Sequence, residues 1–226
     1  FNFVAMVPSQ LEGCMSLLNC CRKILIGGAP LNESLKRKAV SVIQEPSTEL
    51  FLSYGMTETL SHIAIAKLTL EDQAIFSVLP HITIGENDRG CLSVIASYIG
   101  PDTIHTTDVV RILDASHFEW MGRLDFVINS GGVKIHPESL EKAHEKYFSF
   151  PFFYFGIPHD LLGEQLVLVV AQKHLKKSQE ILAKINFGPK FYKPKGILTV
   201  PEFLYTHSLK LRRKETLALG YKVHNL

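Results

Sequence analysis

The sequence predicts an α/β protein in two parts. A larger segment carries a parallel sheet with an antiparallel end, and a small α+β domain follows it. Three observations carry that expectation. Residues 22–28 read RKILIGG, an apolar run closed by two glycines, as in a buried strand leaving into a tight turn. After Pro30, Asn32 stands where an N-cap is favoured, before a helical stretch to about Gln44, and ELFLSYG at 49–55 is a second buried run. Strand, helix and strand in that order form a βαβ unit and point to a parallel sheet. The third observation is a change of organisation near Gly122 and Arg123, which divides the chain into 1–123 and 124–226.

The remaining elements follow in order. Apolar runs near 61–66 and 91–98 read as strands, and GENDRG at 85–90 as a turn between strands. VVRIL at 109–113 and FEWMG at 118–122 form an antiparallel pair around Asp114, Ala115 and Ser116. Past the boundary, FVIN at 126–129 is a short strand broken by SGG, and Pro137 opens a helix to about Tyr147, because proline suits a first helical turn. FFYFGI at 152–157 and QLVLVVAQ at 165–172 are strands, with a helix from Lys176 to about Lys184. GILTVPEF at 196–203 is a further strand, and a terminal helix is expected from Leu211 to Leu219. There is no internal repeat and no low-complexity tract.

Composition narrows the function. Of 226 residues, 46% are hydrophobic and 20% charged, which is the profile of a globular protein with a sizeable core. The formal net charge of +2 argues against a dedicated nucleic-acid binder. Cys14, Cys20, Cys21 and Cys91 form no C-x-x-C pair, so a zinc site or disulfide framework is not expected, and reduced thiols in a cytoplasmic setting are. No apolar run approaches the roughly 20 residues of a membrane span. No charged-then-apolar leader opens the chain. Its first residue is Phe1 rather than Met, which suggests a processed or truncated protein.

Four segments carry chemistry. At 54–59, YGMTET leaves the end of a predicted strand, the place where open α/β sheets bind ligands. Tyr54 offers a flat face for a base, Gly55 permits close backbone approach, Thr57 can donate to a phosphate oxygen, and Glu58 can hold a hard cation. Alone, the segment also reads as a polar strand exit. In TTDVVRI at 106–112, Asp108 is either a turn residue or a carboxylate for ribose hydroxyls. GRLDFVINSGGVKIHPESLE at 122–141 is the most specific stretch: Arg123 suits a ribose or phosphate, Asp125 a hinge, and Gly131 and Gly132 a tight loop against a ligand. In THSLKLRRKE at 206–215, Lys210 is flanked by basic residues, and taken alone this reads as a solvated basic face.

In content and order, these segments resemble the adenylate-forming superfamily of acyl-CoA synthetases, luciferases and peptide-synthetase adenylation domains. Residues 54–58 match its Y-G-x-T-E motif. Thr107 and Asp108 match T-G-D, with Thr107 where glycine is usual. Residues 122–125 match the hinge motif G-R-x-D. Ser130, Gly131, Gly132, Ile135, Pro137, Glu138 and Glu141 match S-G-G-x-x-I-x-P-x-x-[IV]-E. GGAPL at 27–31 is similar to a segment lining the acyl pocket, and residues 156–160 with Gly163 and Glu164 are similar to the G-x-P-D…GE run. Ser208, Lys210 and Arg213 match S-G-K-x-x-R, with Leu209 replacing the glycine. VPSQL at 7–11 and the FVINSGG form resemble o-succinylbenzoate–CoA ligases, which implies a place in menaquinone biosynthesis.

The resemblance implies two half-reactions. A carboxylate attacks the α-phosphate of ATP to give acyl-AMP and pyrophosphate, and CoA thiol then displaces AMP. It assigns Lys210, Thr57 and Glu58 to catalysis, with Glu58 on Mg²⁺. Tyr54, Gly55, Asp108 and Arg123 go to the nucleotide, Gly131 and Gly132 to the pantetheine path, and Asp125 to the hinge about which the small domain rotates. Ser9, Gln10, Gly27 and Gly28 are candidate contacts for the acid, although Ser9 and Gln10 in isolation read as a buried loop pair. The implied partners are a small carboxylic acid, ATP and CoA, with a homodimer left open. The superfamily's phosphate loop, S-G-T-T-G-x-P-K-G, is absent from these 226 residues and is expected upstream of residue 1, with the front of the large domain. Two alternatives stay open: a general aryl- or fatty-acyl-CoA ligase, and a non-catalytic nucleotide or acyl-adenylate binder.

Overall fold

A computed structural model describes residues 1–70, 74–206 and 210–226. The chain divides into two compact units, Phe1–Met121 and Gly122–Leu226.

The first unit begins with β1 (Phe3–Met6), α1 (Pro8–Gly13), β2 (Lys23–Ile26), α2 (Glu33–Val42) and β3 (Glu49–Gly55). β1 pairs parallel with β2, and β2 parallel with β3. The βαβ unit is therefore present as expected. Asn32 caps α2: its Oδ1 accepts from the Leu35 N–H at 2.7 Å, satisfying a donor that the first helical turn leaves open. Leu35 and Ala39 of α2 are buried against Ile24, Ile26 and Leu50 of the parallel strands, with Leu11 and Leu18 in the same cluster.

The sheet then turns antiparallel through β4 (His62–Lys67), β5 (Ile75–Val78), β6 (Ile82–Glu86), β7 (Cys91–Ala96), β8 (Ile104–Asp114) and β9 (His117–Arg123). Among the described residues, nine strands run in the order β1-β2-β3-β4-β5-β9-β8-β7-β6. The β6–β7 hairpin turns on GENDRG, where Asn87 Oδ1 accepts from the Arg89 and Cys91 N–H groups. A second cluster, with Ile63, Ala66, Phe76, Leu92, Val94 and Phe118, fills this end.

The second unit contains β10 (Ile128–Ser130), β11 (Val133–Ile135), α3 (Pro137–His144), β12 (Phe152–His159), β13 (Gly163–Ala171), α4 (Leu175–Lys184), β14 (Gly196–Val200), α5 (Arg213–Ala218) and β15 (Lys222–Asn225). Strand periodicity is plain in β13. Leu166, Leu168 and Val170 join a cluster with Leu140 of α3 and Leu182 of α4. The alternate Val167 and Val169 join Phe153, Leu198 and Val200, with Leu211 and Leu217 packed against them. Helix-side and α5-side apolar surface thus covers both faces.

Several element expectations are corrected. FVIN does not form one strand: Leu124–Phe126 is a 3-10 turn, and the strand starts at Ile128. SGG does not simply end it but makes the tip of a β10–β11 hairpin, with Gly131 at φ 57° and Gly132 at φ 81°. The strand at 196 stops at Val200, because Pro201 has no N–H to donate. The terminal helix starts at Arg213, since Leu211 is held in an antiparallel bridge with Tyr205. Ser9 and Gln10 are not a buried loop pair. They lie exposed on α1, where Pro8 opens the helix, Gln10 Oε1 accepts from the Val7 N–H at 3.0 Å, and Leu11 is buried instead. Among the described residues, no helix is long and apolar enough to cross a membrane.

Candidate functional site

The end of β3 delivers YGMTET as expected. Tyr54 is the last side chain of the strand, and Thr57 and Glu58 stand exposed on the 3-10 turn Thr57–Thr59 that follows. The Tyr54 ring sits among aromatic neighbours, with centroids 5.2 Å from Phe118 and 5.6 Å from Phe76. Its hydroxyl donates to Asp108 Oδ2 at 2.6 Å. Two residues 54 apart in sequence are thereby joined, and the short distance is that of a charge-assisted bond. Asp108 lies on β8, with its N–H held by Thr106 Oγ1 at 3.0 Å. A carboxylate has two oxygens that can accept, and this bond uses Oδ2.

Thr59 is a residue that motif reading missed. It is fully buried, its Oγ1 accepts from the Met56 N–H at 3.1 Å, and it can donate to Ser61 O at 2.8 Å. Tyr98 donates to the Thr59 carbonyl at 3.3 Å. These bonds fix the turn that presents Thr57 and Glu58. The signal in the sequence was a hydroxyl three residues after Met56, a local cap pattern.

Gly55 has a packing reason of its own. A Cβ there would lie 2.5 Å from both His62 Cα and Ser61 O, which are backbone atoms. The approach that its missing side chain permits is that of β4, where the β3–β4 register shifts between Tyr54 and Gly55. Gly27 is similar: its Cβ would meet Ser53 Oγ at 2.0 Å. Gly28 has φ 78° and follows β2 in the same turn.

In the second unit, Arg123 and Asp125 are exposed and 3.5 Å apart, a pair worth little in solvent. Asp125 lies on the 3-10 turn after Arg123. Gly131 N–H donates to Leu162 O at 2.9 Å, which tethers the glycine hairpin to the loop after β12. Lys210 is exposed, while its backbone is pinned. Its N–H donates to Thr206 Oγ1 at 3.0 Å, and its carbonyl accepts from the Thr206 N–H at 2.9 Å. Ser208 and Leu209 of the same motif lie outside the described residues. Among the described residues, no group of three or more His, Cys, Asp or Glu could hold a metal. A lone carboxylate such as Glu58 fits Mg²⁺, which characteristically takes one or two carboxylates together with substrate phosphates.

No family model matches the chain. It is 28% identical over 166 residues to the 3,4-dihydroxybenzoate–[aryl-carrier protein] ligase of Bacillus anthracis, covering 72% of this chain and 35% of that ligase. A solved acyl-CoA synthetase (AMP-forming)/AMP-acid ligase II-like protein from Dyadobacter fermentans is 32% identical, covering 97% of this chain and 66% of its own, with a TM-score of 0.53. The o-succinylbenzoate CoA synthetase of Bacillus subtilis, solved with its acyl-adenylate intermediate, is 18% identical, with coverage of 100% and 52% and a TM-score of 0.72; this last likeness is one of fold. The fold is therefore a partial adenylate-forming domain followed by a small α+β unit. The chain belongs to the adenylate-forming superfamily, similar to its acyl-CoA synthetases and AMP–acid ligases. It spans about a third of the curated ligase and between half and two thirds of these solved relatives.

Proposed function

We propose that this chain serves an ATP-dependent acid–thiol ligase. In this reading a carboxylic acid, ATP and CoA become acyl-CoA, AMP and pyrophosphate through an acyl-adenylate. The acid is o-succinylbenzoate and the setting menaquinone synthesis. Residues 1–123 are the rear of the AMP-binding domain, and 124–226 the mobile small domain. Activity also needs the superfamily's phosphate loop, which these residues do not contain.

The observation that carries the reading is the Tyr54–Asp108 hydrogen bond beside the exposed Thr57 and Glu58. It gathers an aromatic ring, a carboxylate acceptor, a hydroxyl donor and a second carboxylate at one strand end. Asp108 would accept from the ribose, with Tyr54 beside the base and Arg123 supporting the sugar. Adenylation brings an anion to a polyanion, so positive charge must meet the developing oxyanions. Thr57 would donate to the α-phosphate, and Lys210 would neutralise charge between the α-phosphate and the incoming carboxylate. Mg²⁺ on Glu58 and the phosphates would supply further neutralisation. In the second half-reaction the thiol attacks the acyl carbonyl, AMP leaves, and Gly131 and Gly132 present bare backbone to the pantetheine. Asp125 is the proposed hinge. Gly27, Gly28, Ser9 and Gln10 are proposed to stand near the acid, the last two from an exposed helix.

The similarity to a dihydroxybenzoate ligase favours an aryl acid as the second reading. Acid-dependent release of pyrophosphate from ATP, measured on the complete reading frame, tests both. Release with o-succinylbenzoate and not with benzoates or fatty acids is the expected result. Release only with a benzoate selects the second reading, and silence with every acid overturns the ligase.

A further inference from the structure

The second unit buries an arginine between two glutamates, three side chains to which no substrate contact is assigned. Arg213 is 8% exposed. Its Nη1 donates to Glu141 Oε1 at 2.7 Å and its Nη2 to Oε2 at 2.6 Å, a bidentate pair. Nη1 also reaches the Tyr154 carbonyl at 3.2 Å, and the Tyr154 N–H donates back to Glu141 Oε1 at 2.8 Å. The guanidinium lies 4.9 Å from the Phe126 ring centre and 5.3 Å from that of Phe153. Glu138 stands 3.9 Å from Nη2.

The same glutamate touches the start of the unit. The Arg123 backbone favours the charged form of the Glu138 carboxyl, against its burial. Gly122 has φ 138°, and a Cβ on it would sit 2.6 Å from Glu138 Oε2. That oxygen is buried without a hydrogen-bond partner, and burial raises the Glu138 carboxyl above the usual range. An apolar trio would pack at least as well, since buried ion pairs are weak contributors to stability. What charged, forked side chains add is a unique geometry.

That geometry connects two functional segments. Arg213 opens α5 three residues after Lys210, and the Arg212 N–H donates to Leu204 O at 2.9 Å, closing the loop that bears the lysine. We propose that Arg213, Glu141 and Glu138 are positioning residues, a buried clamp that fixes the Lys210 segment to the backbone at Gly122 and Arg123. The lysine and the hinge then move as one body. The functional half of this inference rests on Lys210 being the adenylation lysine.

Three readouts on the complete reading frame test it. Arg213→Lys keeps the charge and loses the fork. Amide hydrogen exchange should quicken about tenfold at both 211–217 and 122–126, with the β13–β14 amides unchanged, as expected of a local opening. Pyrophosphate release should fall about 100-fold in kcat with the ATP KM within about twofold, since small misplacements can cost that much. Thiolysis of supplied acyl-adenylate should stay within about threefold of the unaltered protein. Faster exchange at 211–217 alone, or equal loss of both half-reactions, overturns the clamp. Should Arg213→Lys not fold, Glu138→Gln leaves the Arg213–Glu141 pair intact and must still quicken exchange at 122–126; unchanged exchange there refutes the link. If the unaltered protein releases no pyrophosphate with any acid, or Lys210→Ala releases it normally, the ligase or lysine reading has failed, and the exchange data alone decide the clamp.

Discussion

Gly55→Ala separates two reasons for a glycine at the end of β3. A ligand-approach role predicts a defect only when nucleotide is present. The structure predicts a defect in the free protein. The new Cβ would lie 2.5 Å from His62 Cα and Ser61 O and 2.9 Å from His62 N. Ordinary carbon contacts begin near ~3.5 Å, so β4 must retreat by about 1 Å. The retreating atoms are backbone, and they adjoin the Thr59 bonds that shape the turn. Overpacking of this kind costs about 1–3 kcal/mol, and the upper part of that range applies when no side chain can rotate away. Trp120, the single tryptophan, packs on the Phe76–Phe118 cluster, so its fluorescence reports the first unit. With a urea slope of about 2 kcal/mol per molar, the midpoint should fall by about 1 M. Gly13→Ala is the control: nothing lies within 4 Å of its Cβ position, so the midpoint should hold or rise slightly. An unchanged midpoint in Gly55→Ala, with a weakened ATP response, would refute the packing argument and restore the ligand one.

Four further outcomes are expected. Tyr54→Phe removes the donor to Asp108 and should raise the ATP KM about tenfold with kcat within about threefold, as for a lost hydrogen bond to a charged group; an unchanged KM in the pyrophosphate assay counts against the nucleotide reading. Lys210→Ala should reduce adenylation about 1000-fold while sparing thiolysis of supplied acyl-adenylate; if adenylation persists, Lys214 becomes the candidate. Asp125→Pro should leave adenylation within about threefold and suppress thioester formation, as expected of a hinge; equal loss of both defeats that role. His144 is buried with Nδ1 2.9 Å from the Tyr154 hydroxyl, and burial first, then Lys146, lowers its pKa to about 4. Its folded pKa lies below the ordinary 6.5, so the unfolded chain binds more protons between those values, and this contribution is full above pH 6.5 and lost as pH falls through 4. Glu141 acts oppositely: burial, against the pull of Arg213, raises it to about 7, a contribution lost as pH rises through that value. The difference between the unaltered protein and His144→Gln isolates the histidine, and from pH 7 to 4 it should shift in favour of the variant by on the order of 3 kcal/mol. A pH-independent difference in unfolding midpoint sinks the assignment.

Local signals were legible because their causes are local. Asn32 caps α2 with its own side chain three residues away, and ELFLSYG forms β3 over its whole length because Leu50, Phe51, Leu52 and Tyr54 are strand-favouring apolar residues with a glycine at their exit. The misreadings lie where a distant partner decides. Leu211 reads as helical until Tyr205 bridges it, and β15, with Lys222 and Val223 exposed, becomes a strand only because β14 offers an edge. SGG reads as a break because glycine spacing alone does not reveal that Val133–Ile135 returns to pair with Ile128–Ser130.

The same division holds for the candidate site. Motif spacing finds Tyr54 and Asp108 separately, and only the folded unit brings a hydroxyl on β3 within 2.6 Å of a carboxylate on β8, although β4, β5 and β9 stand between those strands in the sheet order. Arg213 is the sharper case. Taken alone, its basic run reads as a solvated face with Arg212 and Lys214, and the motif match gave Arg213 no role of its own. Those two are exposed, and Arg212 pairs with Glu215 one turn away. Arg213 points the other way, to a glutamate 72 residues earlier. One position of three in a charge run is thus a buried anchor, and the pattern around it carries the period of a helix only from that residue onward. The ion pair anchors the first residue of α5, just past the Leu211–Tyr205 bridge, and the lysine three residues earlier stands outside the helix.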